Sequence, residues 1–123
     1  MTGRRARQLY RDEIDRKFHS LAKFFGSYLH QNWTDFHDTP ERAVEEAIAA
    51  YPLELKQRVQ GELRAVLVEF TEDKKLREVL NWGLGVSVHF NRPEQARTFA
   101  ETVEAKLIQS TENDGRRPGV HRP

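Results

Sequence analysis

The apolar residues of this 123-residue chain recur three and four positions apart over most of its length. Residues at that spacing lie on one face of an α-helix, so the pattern predicts amphipathic helices that share a buried side. A chain of this length can bury one real core but not two. The longest series lies mid-chain and consists of Leu55, Val59, Leu63, Val66, Leu67 and Phe70.

Four further series surround this central helix, which Pro52 opens. The first predicts a helix from about Arg11 to Leu29, the next two begin near Pro40 and Thr71, and the last begins at Pro93. Asp38 or Thr39 is expected to cap the helix that begins near Pro40, and Gly83 and Gly85 are expected to end the helix that begins near Thr71. Their inward residues are Ile14, Phe18, Leu21, Phe25, Tyr28; Ala43, Val44, Ala47, Ile48, Tyr51; Leu76, Val79, Leu80; and Ala96, Phe99, Val103, Leu107.

We therefore predict an all-α, single-domain bundle of about five amphipathic helices. Alternation in "GVSVHFN" is the one strand-like signal, and a lone strand has no partner for its backbone groups, so an extended connector is expected. Residues 1–10 are predicted to be a basic flexible N-terminus, 11–109 the helical domain and 110–123 a disordered C-terminal tail. Formal charge is +4 over 1–11, −4 over 12–109 and +1 over 110–123.

Motifs that would carry chemistry are missing from the sequence. It has no cysteine, no glycine-rich phosphate loop and no GxSxG element. The five histidines (His19, His30, His37, His89 and His121) fit no metal-ligand template. We predict no catalytic, cofactor-binding or metal-binding residue. With neither a secretory signal nor an apolar run of about 18 residues, the expected location is the cytoplasm.

The stretch "FFGSYLHQNW", residues 24–33, crowds four aromatic residues into ten positions. Phe24 lies about 100° from the face of Phe25 and Tyr28 and widens the apolar arc. Gly26 costs a helix about 1 kcal/mol relative to alanine, so it is expected to admit a closely packed neighbouring helix. Trp33 is expected to fold back over the end of the bundle. These residues are thus interpreted mainly as a packed corner.

"GSYLHQNW", followed by "TPERAVEEAIAAYP", resembles the immunity proteins of bacterial contact-dependent growth inhibition systems. Leu29 stands where that family usually has an aromatic residue, and Asn32 where it has aspartate, which removes a charge. The likeness is specific over residues 21–51 and rests on helix order alone over 52–109. The matching positions are Gly26, Tyr28, His30, Gln31, Trp33, Glu41 and Ala43.

The resemblance implies a helical protein that binds the C-terminal domain of a cognate toxin and blocks it, without chemistry or a cofactor of its own. A monomer in a one-to-one complex is expected, with no membrane and no direct nucleic-acid partner. Many such toxins are nucleases with basic faces, which an acidic inhibitor would complement. Two alternatives are a helical nucleic-acid-binding regulator, which the basic N-terminus allows, and a scaffold module.

An acidic segment between His30 and Glu54 is the candidate toxin interface. It carries six acids against the single base Arg42, a local balance of −5. Trp33, Phe36 and Tyr51 could supply aromatic anchors. The alternative is that the acids only favour the start of a helix and keep it solvated. The interface candidates are Trp33, Asp35, Asp38, Glu41, Glu45 and Glu46, and Glu54 completes the six acids.

Overall fold

A computed structural model describes residues 11–115, and six helices follow one another along this part of the chain. A 3-10 turn lies between the second and third helices, and a π-helical segment continues the fifth. No strand occurs within residues 11–115, and the predicted all-α single domain is confirmed. The elements are α1 (residues 11–17), α2 (His19–Tyr28), the 3-10 turn (Trp33–Asp35), α3 (Pro40–Ala50), α4 (Leu53–Glu69), α5 (Asp73–Glu78), the π segment (Val79–Gly83) and α6 (Pro93–Gly115).

The first predicted helix is divided in two at Phe18, which leaves the helical region with φ −127° and ψ 53°. Its ring is still buried, so the break keeps the apolar face of both halves on the core. Just after the break, the amide of Leu21 donates to Glu62 Oε1 of α4 at 2.7 Å. A backbone donor beside the break therefore has a partner from another helix.

Helix α4 contacts both α2 and α6, while α3 packs on the same two neighbours. The inward residues predicted for α4 are buried from Val59 to Leu67, but Leu55 is 37% exposed, so its prediction was wrong. Lys56 takes the buried position instead, at 4% exposure. The spacing from residue 56 through 59 to 63 continues the buried face better, and the apolar stem of a lysine can line a core.

Helix α6 continues to Gly115, through six residues that the sequence assigned to a disordered tail. Contacts with α4 explain this length. Lys56 Nζ donates to Ser110 Oγ at 2.7 Å and also pairs with Asp114. These bonds give the buried ammonium group its partners only if α6 reaches that far. Residues 1–10 and 116–123, predicted to be flexible tails, lie outside the described residues.

The segment after the π helix is an extended connector, as predicted, and its apolar residues Val86 and Phe90 are buried. Gly85 has φ +73°, a conformation that favours glycine, and it turns the chain away from the helix. The Asn81 side-chain amide then donates to Val86 O at 2.7 Å and to Val88 O at 3.0 Å. Part of the connector's backbone is thus hydrogen-bonded without a neighbouring strand.

Gly26 does not admit a neighbouring helix, and that expectation was wrong. A Cβ at this position would meet no atom within 4 Å, because Gly26 is exposed beside a cavity. Gly61, in the middle of α4, has equally open surroundings. Both positions are helical, so neither needs glycine for its backbone conformation.

Gly26→Ala is therefore expected to raise the free energy of unfolding by about 1 kcal/mol, since alanine forms helix better than glycine by that amount. Gly61→Ala is the matched control and should give a similar gain. Chemical denaturation of the three proteins measures both changes. A loss of stability confined to Gly26→Ala would mean that the space beside this glycine is needed by the fold.

Candidate functional site

The family-motif residues after α2 build a tight corner. His30 Nδ1 accepts a hydrogen bond from the Asn32 amide at 3.0 Å, which closes the turn. The Trp33 indole N–H donates to Ser87 O at 2.7 Å, and the Ser87 amide donates to Leu29 O at 2.8 Å. These bonds tie the corner to the distant connector. Trp33 packs partly buried against the core, so much of this interface candidate serves the fold.

Tyr28 and Tyr51 close the neighbouring edge of the core. The Tyr51 ring lies 5.2 Å from the Phe24 ring and 6.3 Å from the Tyr28 ring, measured between centroids. Burial is the main cause that raises the pKa of Tyr51 above its usual value, with a smaller contribution from Tyr28. Both tyrosines are partly buried. Tyr51, one of the three possible aromatic anchors, is therefore engaged within the protein.

Phe36 is the third possible anchor, and it is 72% exposed. It follows the 3-10 turn, and its ring stands edge-on to the His30 ring with 6.4 Å between centroids. A cavity of about 340 Å³ opens beside it. An aromatic ring held out in water next to a concave surface has the character of a binding anchor. The cavity is lined by Ser27, Tyr28, His30, Trp33, Phe36, His37 and Glu46.

Asp35 and Asp38 flank Phe36 along the chain, and Glu46 lines the cavity beside it. All three acids are exposed, and none forms an ion pair with another described residue. Asp38 does not cap α3, because Thr39 Oγ1 accepts from the Arg42 amide at 3.1 Å and fills that role. We call Asp35, Phe36, Asp38 and Glu46 the Phe36 surface.

The other two acids of α3 face α6 instead. Glu45 accepts a hydrogen bond from Lys106 Nζ at 2.8 Å, and this bond, with the charge of Lys106, lowers the pKa of Glu45. That carboxylate is already matched within the protein. Glu41 lies one turn earlier and lines a separate groove between α3 and α6. The predicted acidic interface is thus divided between two sides of α3.

Three motif residues, Gly26, His30 and Gln31, line a further cavity in the described part of the chain. Its volume is about 540 Å³, and polar groups dominate its walls. Gly83 also belongs to it, and a Cβ there would lie 2.8 Å from Ile14 Cγ2, so this glycine does permit a close approach. The remaining lining residues are Arg11, Asp15, Ala22, Asn32, Asn81, Leu84, Gly85 and Ser87.

Within residues 11–115, no group of three or more histidine, aspartate or glutamate side chains could hold a metal ion. None of the helices described is both long and apolar enough to cross a bilayer. The fold and the Phe36 surface together have the make-up of a small helical protein-binding domain.

The chain belongs to the CdiI immunity proteins, since a family model of that description matches residues 17–107. No curated protein and no solved structure gives a significant match. The resemblance predicted from residues 21–51 is confirmed, and the family match extends it across α4 and α5 into α6. Membership of this family indicates a toxin-neutralising immunity protein that binds a cognate toxin.

Proposed function

We propose that this protein binds the C-terminal toxin domain of its cognate contact-dependent growth inhibition system in the cytoplasm and blocks it through the Phe36 surface. The protein acts as a monomer in a one-to-one complex, without a cofactor and without catalysis of its own. The observation that supports this surface is the exposed Phe36 ring among three carboxylates that form no ion pair with a described residue. An aromatic residue surrounded by a polar rim is the usual anatomy of a protein-binding surface.

The acids point to the character of the toxin domain. A surface that carries Asp35, Asp38 and Glu46, none of them in an ion pair with a described residue, complements a positively charged partner. Nucleases need such positive faces to hold phosphate groups. We therefore propose that the toxin domain is a nuclease and that the Phe36 surface covers part of its nucleic-acid-binding face. Complementary charge would speed the encounter between the two proteins, which protects the cell soon after the toxin arrives.

The decisive experiment is co-expression of this protein with the C-terminal domain of the toxin encoded beside it. Size-exclusion chromatography with light scattering should show a one-to-one complex, and nuclease activity of the domain on DNA or RNA should disappear. The protein alone should cleave neither substrate. Failure to bind the adjacent gene product would overturn the proposal. Salt-sensitive binding of DNA by the protein alone would instead favour a helical nucleic-acid-binding regulator.

A further inference from the structure

A second concave surface lies between the N-terminal ends of α3 and α6. It is a groove of about 320 Å³ with a largely apolar floor. Glu41, on α3, and Glu94, on α6, supply its carboxylates. We call this surface the α3–α6 groove, and it is lined by Pro40, Glu41, Val88, Phe90, Glu94, Gln95, Thr98, Phe99 and Thr102.

The seam between α3 and α6 accommodates a cation one helical turn away from this groove. There, Lys106 of α6 places its Nζ 2.8 Å from Glu45 of α3. Stepping back four residues on each helix leads from Glu45 to Glu41 and from Lys106 to Thr102. Thr102 is short and uncharged, so this position of α6 supplies no cation to the groove. Thr102 lines the groove, so a longer side chain at this position would enter it.

The carboxylates of the groove have little internal compensation. Glu41 makes no ion pair with a described residue, and Glu94 pairs with Arg92 at 3.8 Å. Both members of that pair are well exposed, so their attraction contributes little. Both glutamates also favour the first turns of their helices. They remain open to a cation from outside.

We propose that the α3–α6 groove receives an arginine side chain of the partner protein, an inference that rests on the proposed function. Its aliphatic stem would lie on the floor formed by Phe90 and Phe99, with its guanidinium group between Glu41 and Glu94. A guanidinium group can stack on aromatic rings and bond to two carboxylates at once, which a lysine ammonium group does less well. The partner surface thus extends from the Phe36 surface to the start of α6.

Nα-acetyl-L-arginine methylamide, a single capped arginine, is the probe that tests the groove without the toxin. Titration at millimolar concentration should shift the backbone amide NMR signals of Gln95, Thr98 and Thr102 along saturating curves. The paired substitution Glu41→Gln and Glu94→Gln should weaken this binding about fivefold or more, as two partly exposed charge contacts warrant. Glu112→Gln, at an exposed acid near the other end of α6, should change nothing.

Thr102→Lys supplies the missing cation from within the chain. By analogy with Lys106 and Glu45, the new ammonium group should reach Glu41, abolish binding of the arginine probe and leave the melting temperature close to the parent value. The capped norleucine analogue, which has a similar stem and no charge, should bind neither protein measurably.

Amide NMR signals that shift equally near acids all over the surface would overturn the groove assignment. Equal probe binding by the parent protein and Thr102→Lys would overturn it as well. So would a toxin domain that binds the parent protein and Thr102→Lys with the same affinity. That last result would leave the proposed toxin neutralisation intact, because the complex itself would still form. Loss of toxin affinity in Thr102→Lys, with the Phe36 surface unchanged, would support the extended interface.

Discussion

Phe36→Ala should weaken the complex with the cognate toxin domain by about 2 kcal/mol, or about thirtyfold in the dissociation constant. Phe36 is 72% exposed in the free protein, so binding would remove a whole aromatic ring from water. Most of the loss should appear as faster dissociation, because truncating an anchor alters the bound state more than the encounter. Surface plasmon resonance separates the two rates.

Val68→Ala is the matched control for this change, because Val68 is also an exposed apolar residue, at 63%, but lies on α4. It should leave both rates unaltered. Equal losses for the two variants would indicate a general effect of apolar surface. An unchanged complex in Phe36→Ala would move the interface away from the Phe36 surface.

Charge reversal beside the ring tests the electrostatic part of the same surface. Asp35→Lys, Asp38→Lys and Glu46→Lys should each slow association, and the loss should shrink at high salt as screening shortens the reach of the charges. Glu112→Lys provides a reversal at a distant exposed acid. Glu45→Lys is a poor test, because it would place two cations together at Lys106. Association that stays fast in all three variants would contradict an acidic docking surface.

Phe25→Ala and Leu63→Ala should each lower the free energy of unfolding by about 2–5 kcal/mol. Both side chains have no exposed surface, and the Phe25 ring lies 6.2 Å from the Phe99 ring of α6. Truncation would leave a cavity where α2, α4 and α6 pack together, so neighbouring side chains can refill it only in part. Chemical denaturation monitored by circular dichroism measures the loss.

Asp35→Ala and Glu46→Ala are the controls for these core changes and should unfold at nearly the parent denaturant concentration. Domains of this kind are stable by only about 5–15 kcal/mol, so either core change would remove a large part of the total. Core variants should therefore fail to protect cells through loss of folded protein. Unfolding caused by the acid substitutions would show that these carboxylates support the fold, contrary to the Phe36 surface.

Helical periodicity was sufficient to predict most of the core, because a buried face repeats every three or four residues wherever the helix lies. It could not locate the break at Phe18, since the pattern of Ile14, Phe18 and Leu21 is the same for one helix or two. The break is accompanied by a contact that is remote in sequence, because the Glu62 carboxylate accepts a hydrogen bond from the Leu21 amide. Periodicity also overlooked Lys56, because a lysine counts as polar even when its stem is buried.

The sequence predicted which residues make up the candidate site but not how they are arranged. The acids between residues 30 and 54 are evident in the sequence, but their division between the Phe36 surface and the α6 side depends on where α6 packs. Phe36 was one of three equivalent aromatic residues until the structure placed Trp33 and Tyr51 partly in the core. Its one local signal is its position between two aspartates, outside any apolar series. Glu94 had no signal, since its relation to Glu41 is entirely tertiary.

The buried Lys56 ammonium group determines where this chain can be shortened. A recombinant version that ended at residue 109, the boundary that composition suggests, would lack both Ser110 and Asp114. The buried ammonium group of Lys56 would then lose these two partners. Removing the partner of a buried charge costs about 3–5 kcal/mol, comparable to deleting a core phenylalanine. Affinity tags and fluorescent fusions therefore belong after residue 115, where they leave the bonds between Lys56 of α4 and the end of α6 intact.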